Sequence, residues 1–360
     1  MQMHLVGGFL GSGKTTAIIQ AARQLIAQGR KVGVVTNDKG KHLVDTAFFR
    51  SADIPTAEVA GGCFRCSFEE LEKRLEQLKE TARPDVIFAE SVGSCADMAA
   101  TVLEPLLRLQ EKQDQPTSFS VFTDARLLRM WLQGEELPFS EEVTYIFEKQ
   151  IEEAGLLVIN KIDLLTGEDV QEVEWLARQR FPGKMVVRQN SLLETGVTDW
   201  LEMLGSSGGL PMAEDGGMDY DRYDAGSRQL AWLDEAITIR AKDALGAANS
   251  MISELRSILR AERIPVGHLK FFLAWDGGHC KLSFPTLEEP QRQPMDVAVV
   301  VDMVNMIVNG RVQTSPARLN RMVAAALEAM AATREVIYER EETAYFRPRI
   351  TRRREQPSSG

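Results

Sequence analysis

The stretch GFLGSGKT, residues 8–15, decides the fold of the first half of this 360-residue chain. It fits G-x-x-x-x-G-K-[ST] in full. Its glycines let the backbone turn so that several N–H groups point inward at phosphate oxygens. Gly8, Gly11, Ser12, Gly13, Lys14, Thr15 and Thr16 are therefore the candidate phosphate contacts. Lys14 is expected to reach the β- and γ-phosphates, and the Thr15 hydroxyl to ligate Mg²⁺. The helix that starts there adds its positive end. Leu5 and Val6 precede the loop and an amphipathic pattern follows it, so the strand–loop–helix context is met.

Far downstream, NKID at residues 160–163 ends the apolar run LLVI. An aspartate at the position of Asp163 can accept hydrogen bonds from both N1–H and the N2 amine of guanine. Adenine offers no matching pair of donors, and a buried carboxylate left unpaired is costly. Asn160 is expected to brace the loops, Lys161 to cover the base plane, and Ser191 in NSLLETG to supply the second base-contacting loop.

Between these motifs, short apolar runs alternate with helical patterns, the signature of a mostly parallel sheet with helices on both faces. Strands are predicted near 3–6, 31–36, 85–90, 118–123, 156–160 and 185–188, and helices near 14–28, 67–81, 96–110 and 169–179. Gly29 suits the end of the first helix, and Ser67 with Glu70 reads as a capping box. Residues 1–204 form the predicted nucleotide domain. The Gly-, Ser- and Asp-rich stretch 205–228 cannot bury a core and reads as a linker. Residues 229–338 read as a smaller α+β domain with an antiparallel sheet: strands near 235–240, 266–275, 280–284 and 297–308, and helices near 244–262 and 315–332. Residues 339–360 read as a basic, disordered tail.

Two segments sit where a nucleotide switch would sense the γ-phosphate. In TNDKG, Asp38 is a candidate for Mg²⁺ directly or through water. In VIFAESVG, Glu90 ends a strand where a carboxylate would meet Mg²⁺ or water, and the Gly93 N–H is a candidate γ-phosphate contact. Lys14, Asp38 and Glu90 are the candidate catalytic residues, and Thr15, Asp38 and Glu90 the candidate Mg²⁺ ligands.

The segments GGFLGSGKTT, TNDKG, GGCFRC, ESVGSCAD, FTDA and QIEEAGLLVINKIDLL, in this order, resemble the CobW-type P-loop GTPases. These are relatives of the hydrogenase and urease nickel-insertion GTPases and of the methylmalonyl-CoA mutase chaperone. The resemblance covers about the first 200 residues and is looser beyond. It implies slow GTP hydrolysis to GDP and phosphate, and a GTPase domain that dimerises or docks on a client. It also implies a role in handling a metal or a cobalamin-type cofactor for a client metalloenzyme. The family carries GGCxCC; here Arg65 replaces the middle cysteine, leaving Cys63 and Cys66 in C-x-x-C spacing. Two thiolates can ligate Zn²⁺ or another transition metal, but a closed site needs four ligands. Cys95 could be a third and His42 a fourth. Arg65 would repel a metal yet lower the thiol pKa values. The plainer reading makes Cys63 and Cys66 small hydrophobes shaping a loop.

The rest of the chain narrows the field. A net charge of −10 repels nucleic acid and anionic membranes, so neither is expected as a partner. No run approaches the ~20 apolar residues of a membrane span. MQMHLVGG has no export pattern, and a cytoplasmic protein is expected. His268, His279 and Cys280 read as ordinary strand positions, the last two on opposite faces. Arg65 is the one candidate for a trans-acting arginine, and Asp124 is structural or near the nucleotide. Two other classes stay open: a nucleotide-gated recognition switch carrying no metal, and a small-molecule kinase on the same loop.

Overall fold

In β4 (Val86–Glu90) all five residues are buried, with Ile87 and Ala89 in one core and Val86 and Phe88 in another. That two-sided burial is the mark of a parallel sheet covered on both faces. The computed structural model describes residues 1–38, 44–60, 62–110, 117–205, 217–285, 299–341 and 343–347. Its first part runs β1 (Gln2–Gly8), α1 (Lys14–Ala27), β2 (Val32–Asp38), α2 (Val44–Ser51), β3 (Thr56–Ala60), α3 (Phe68–Ala82) and β4. A π-helical turn (Ala99–Leu103) leads into α4 (Glu104–Gln110), then β5 (Thr117–Asp124), α5 (Ala125–Leu132), α6 (Glu141–Glu152), β6 (Leu156–Asn160), α7 (Gly167–Arg180), β7 (Met185–Gln189) and α8 (Thr198–Gly205).

The strands form one sheet in the order β3-β2-β4-β1-β5-β6-β7, with every pairing parallel. One face is covered by a core containing Ile18, Ala22 and Trp200. The other holds Leu71, Leu75, Leu128 and Phe147. The expected doubly covered sheet is therefore present. Helix α1 ends at Gly29, which has φ of 81° and donates its N–H to Ile26 O at 2.9 Å.

Two local expectations fail. Ser67 precedes α3, but its side chain makes no capping hydrogen bond and Glu70 pairs with Arg74 at 2.8 Å. The Ser67 hydroxyl instead lies against Gly62, where a Cβ would stand 2.2 Å from it. The helix expected from 96 starts later, because Asp97 is left-handed with φ of 66°. Glu153, just past α6, accepts the N–H groups of Met98 and Ala99 at 2.5 and 3.1 Å.

The second part comprises α9 (Tyr220–Gln229), β8 (Leu230–Ala241), α10 (Ala244–Ala261), β9 (Val266–Trp275), β10 (Gly278–Pro285), β11 (Met303–Gln313), α11 (Pro316–Thr333), β12 (Val336–Arg340) and β13 (Ala344–Phe346). The sheet order is β10-β9-β11-β8-β12, with β13 also on β8, and all pairs are antiparallel. Helices α10 and α11 share one apolar core with this sheet.

Three boundaries differ from expectation. Part of the expected linker is α9, which packs on α6: the Tyr145 hydroxyl accepts from Asp219 N at 2.7 Å, and Arg222 lies 4.6 Å over the Tyr145 ring. The strand expected at 297–308 is shifted; Val299 and Val300 are exposed, while Asn309 and Arg311 are buried in β11. The expected tail from 339 begins inside β12 and includes β13; residues 348–360 lie outside the described residues. Among the described residues no helix is long and apolar enough to cross a membrane.

Burial raises the Glu153 carboxyl to about 8, against the opposing pull of the Ala99 and Met98 N–H groups. Because the folded value lies above the unfolded value of about 4.3, this group's stabilisation is complete below pH ~4.3 and lost as pH rises through ~8. Glu153→Gln keeps an acceptor without the ionisation. Thermal unfolding from pH 5 to pH 9 should show the wild-type melting temperature falling relative to the variant, with the gap widening toward pH 9. A pH-independent gap would refute a titrating Glu153.

Candidate nucleotide site

The parallel register sets Val6 beside Glu90, Glu90 beside Thr36, and Asp124 beside Asn160. Five strand ends thus meet at the carboxyl edge of the sheet, where ligands bind in folds of this class. Here the loop from Gly8 to Thr15 turns into α1. Lys14 Nζ donates to Gly8 O at 2.6 Å and Phe9 O at 3.1 Å. Burial lowers the Lys14 ammonium to about 8, with Glu90 pulling the other way. Thr15 Oγ1 donates to Glu90 Oε1 at 2.8 Å. Glu90 Oε2 and the hydroxyls of Ser12 and Ser91 are buried with no hydrogen-bond partner among the described residues. Burial, followed by the nearby Asp45 charge, pushes the Glu90 carboxyl up. Gly93 packs on the loop, where a Cβ would stand 3.0 Å from Leu10 N, and its carbonyl accepts from Gln150 at 3.1 Å. Asp38 ends β2, and its side chain lies outside the described residues, as do His42 and Gly61.

Asn160 joins the two motifs. Its Nδ2 donates to Ser12 O at 2.7 Å, and its Oδ1 accepts from Ser191 Oγ at 2.8 Å and Ser191 N at 3.2 Å. Gly13 makes this approach possible: its φ is 93°, and a Cβ there would stand 2.3 Å from Asn160 Nδ2. Lys161 is left-handed with φ of 65°, and its ammonium lies 3.3 Å from Asp124 Oδ2. Asp124 also caps α5 through Arg126 N. Asp163 is exposed and lines the same cavity as Thr16, Lys161 and Ser191.

That cavity, of about 720 Å³, has a second wall that sequence reading missed. It is built from β9, β10 and the end of α10, and includes Arg256, Arg260, His268, Lys270 and Lys281. His268, expected as an ordinary strand residue, is buried here, and burial holds its imidazole well below its usual value. His279 is exposed and stacked on Phe272, and Cys280 leans on the second core, so those two do lie apart. The wall holds α2, which follows the TNDKG segment. Asn309 Oδ1 accepts Val44 N at 3.0 Å, and Asp45 takes Lys270 at 2.5 Å and Lys281 at 2.9 Å. No short-range pattern links Asp45 to lysines so far along the chain, so no sequence signal could have paired them.

The GGCFRC loop lies beside the site. Asn37 donates to Val59 O and Gly62 O and accepts from Phe64 N. Cys63 is buried and Cys66 half-buried, with sulfurs 2.7 Å apart. Among the described residues no group of three His, Cys, Asp or Glu side chains is arranged to hold a metal, so Cys95, though buried nearby, is not gathered with them as a ligand set. The Arg65 side chain is itself buried, 3.9 Å from Asp97, with its guanidinium 5.5 Å from the Tyr220 ring and 5.1 Å from the Tyr223 ring.

Residues 2–188, more than half of the chain, match the family described as CobW/HypB/UreG, nucleotide-binding domain. The chain belongs to the CobW/HypB/UreG family. The resemblance read from its motifs is thereby borne out. This CobW/HypB/UreG chain is 29% identical over 181 residues to the zinc chaperone YeiR of Escherichia coli (strain K12), covering 48% of this chain and 49% of YeiR. The chain therefore spans about half the length of that relative. It is 31% identical over 170 residues to the urease accessory protein UreG of Metallosphaera sedula, covering 44% of this chain and 70% of UreG. Among solved structures, HypB from Helicobacter pylori in complex with nickel aligns at a TM-score of 0.43 and 15% identity, covering 61% of this chain and 92% of HypB.

The coupling of the two motifs through one amide gives a direct test. Gly13→Ala should strain the loop by about 1–3 kcal/mol and displace Asn160. Titration calorimetry should then show nucleotide binding lost or weakened at least ~100-fold, with a lower melting temperature. Unchanged binding would show that the loop tolerates a side chain there.

Proposed function

We propose that this chain is a nucleotide-switched GTPase that serves as a chaperone for a metal, or for a metal-containing cofactor of the cobalamin type, on behalf of a client enzyme. One observation carries the nucleotide half of this reading. Asn160 ties the phosphate loop to Ser191, so the phosphate-binding backbone and Asp163 open onto one cavity. GTP with one water gives GDP and phosphate. The backbone amides of the loop and Lys14 hold the β- and γ-phosphates, and Asn160, Lys161, Asp163 and Ser191 orient the base. Thr15 and Glu90 offer oxygen donors, with one Glu90 carboxylate oxygen unpartnered among the described residues, a set that suits Mg²⁺. When bound, Mg²⁺ would neutralise phosphate charge and fix the phosphate geometry. Asp38 belongs to the same proposal, as does Gly93, whose close packing on Leu10 holds its segment against the phosphate loop. Residues 1–204 act as the nucleotide unit, and the second domain meets the client.

The metal half rests on family membership and on the zinc-chaperone relative. The described residues do not fit a closed zinc site, because Cys63 and Cys66 supply two thiols and Arg65 sits between them in sequence. Metal would be cargo, held by this pair and completed by the client. A second reading is favoured by Arg65: a fixed guanidinium stacked on Tyr220 and Tyr223 can shape the loop without metal, leaving a switch that only recognises protein.

Asp163→Asn should weaken GTP binding by at least ~100-fold, because an amide cannot accept from both guanine donors; unchanged affinity would remove the guanine assignment. For the cargo, metal content of the purified protein should fall in the Cys63→Ser, Cys66→Ser double variant. Thiolate-bound metal absent from the wild type in both nucleotide states would leave the metal-free switch.

A further inference from the structure

The second domain does more than cover the nucleotide cavity. It seals directly onto the phosphate loop: a Cβ on Gly11 would stand 2.9 Å from Pro285 Cβ and 3.1 Å from Gly267 O. Period-two alternation along β9 then turns His268 and Lys270 to the same side, and both line the cavity.

Among the described residues, Lys14, Lys270 and Lys281 line this cavity together with the carboxylates of Asp45 and Glu90. Arg311, which also lines it, is committed to Asp234 at 2.9 Å and lies 3.8 Å over the Trp232 ring. Buried ammonium groups so placed are suited to meet an anionic ligand.

The two second-domain lysines differ in placement. Lys281 lies 4.4 Å over the Phe48 ring and 2.9 Å from Asp45, packed on α2. Lys270 lies on β9 three residues beyond Gly267, whose carbonyl stands against Gly11 of the phosphate loop, and it lines the cavity with Lys14 and Glu90.

We propose that Lys270 is a ligand of the terminal phosphate, contributed by the second domain to the nucleotide site and shared with Asp45 of α2. The inference rests on the GTPase reading above. With GDP, Lys270 remains on Asp45. With GTP, its ammonium turns to the γ-phosphate, and α2 keeps Lys281 and the Asn309–Val44 hydrogen bond among its ties to β9, β10 and β11. The second domain thereby senses the third phosphate directly, with no signal needed through the interior of the first.

The test is titration calorimetry on the full chain with GDP and with a non-hydrolysable GTP analogue, both with Mg²⁺. Wild type, Lys270→Met, Lys270→Gln and Lys281→Met are compared. Removal of a charged phosphate contact should cost Lys270→Met and Lys270→Gln roughly 10–100-fold in analogue affinity, with GDP affinity changed less than ~3-fold. Lys281→Met breaks the same Asp45 clamp but keeps Lys270, so it should retain the preference for analogue over GDP. If Lys270→Met does not fold, Lys270→Gln, which can still donate to Asp45, decides the matter. Equal losses for both nucleotides, or the same loss of preference in Lys281→Met, would make Lys270 a structural tie and overturn the proposal. A wild type that binds neither guanine nucleotide overturns the GTPase reading and this inference together. A wild type that binds both, with the Lys270 variants unchanged, overturns the inference alone.

Discussion

One carboxamide governs the geometry of the site. Asn160 donates to the Ser12 carbonyl and accepts from the backbone and hydroxyl of Ser191, so a single planar group sets the spacing between the loop of residues 8–15 and the loop that carries Ser191. Its own position follows from β6 lying in register with β5, and β5 with β1. The parallel sheet is thus a ruler, and Asn160 is the point where its spacing reaches the cavity. A neutral amide suits this task. It is buried with donors and acceptors both satisfied, so it adds rigidity without the desolvation cost of a charge.

The second polar framework is larger and lies across the two sheets. Asp234 and Arg311 form a buried ion pair, Asn309 bonds Asp234 at 2.7 Å, and the same Asn309 holds the first N–H of α2. Breaking such a buried pair from one side leaves an uncompensated charge. The network therefore fixes where β11 stands, and through it where α2 starts. Beside it, Asp45 is held well below the usual carboxylate range: burial opposes its charge, but Lys270 and Lys281 outweigh burial.

What could be read from sequence follows from how local each feature is. The phosphate loop, NKID and the six strands around them are short-range patterns, and hydrophobic runs bounded by glycines carry them. Helix α2, strand β3 and helix α6 escaped because their apolar faces are brief; α6 was visible in part only as the QIEEAG segment. That segment contains Gln150, which holds the carbonyls of Gly93 and Cys95, and Glu153, which holds Met98 and Ala99. The strand expected to end at Val308 runs on through Asn309-Gly310-Arg311 to Gln313. Those polar residues are interior because their partners lie in β8, some 75 positions away. The second-domain lysines that meet Asp45 are 225 and 236 positions from it, beyond any periodicity.

The tyrosine cage around Arg65 has a consequence for how the chain can be divided. Tyr220 bonds Asp97, and Tyr223 bonds Ser94 O and Ala96 N, both from α9, which precedes the second sheet in the chain. Leu230 and Trp232, at the start of β8, belong to the apolar core of the first sheet. A fragment ending at residue 204 would strip these rings from a buried guanidinium and open that core to water. A fragment that keeps the cage and this core closed accordingly runs on through α9 into the start of β8, a strand whose residues are divided between the two cores.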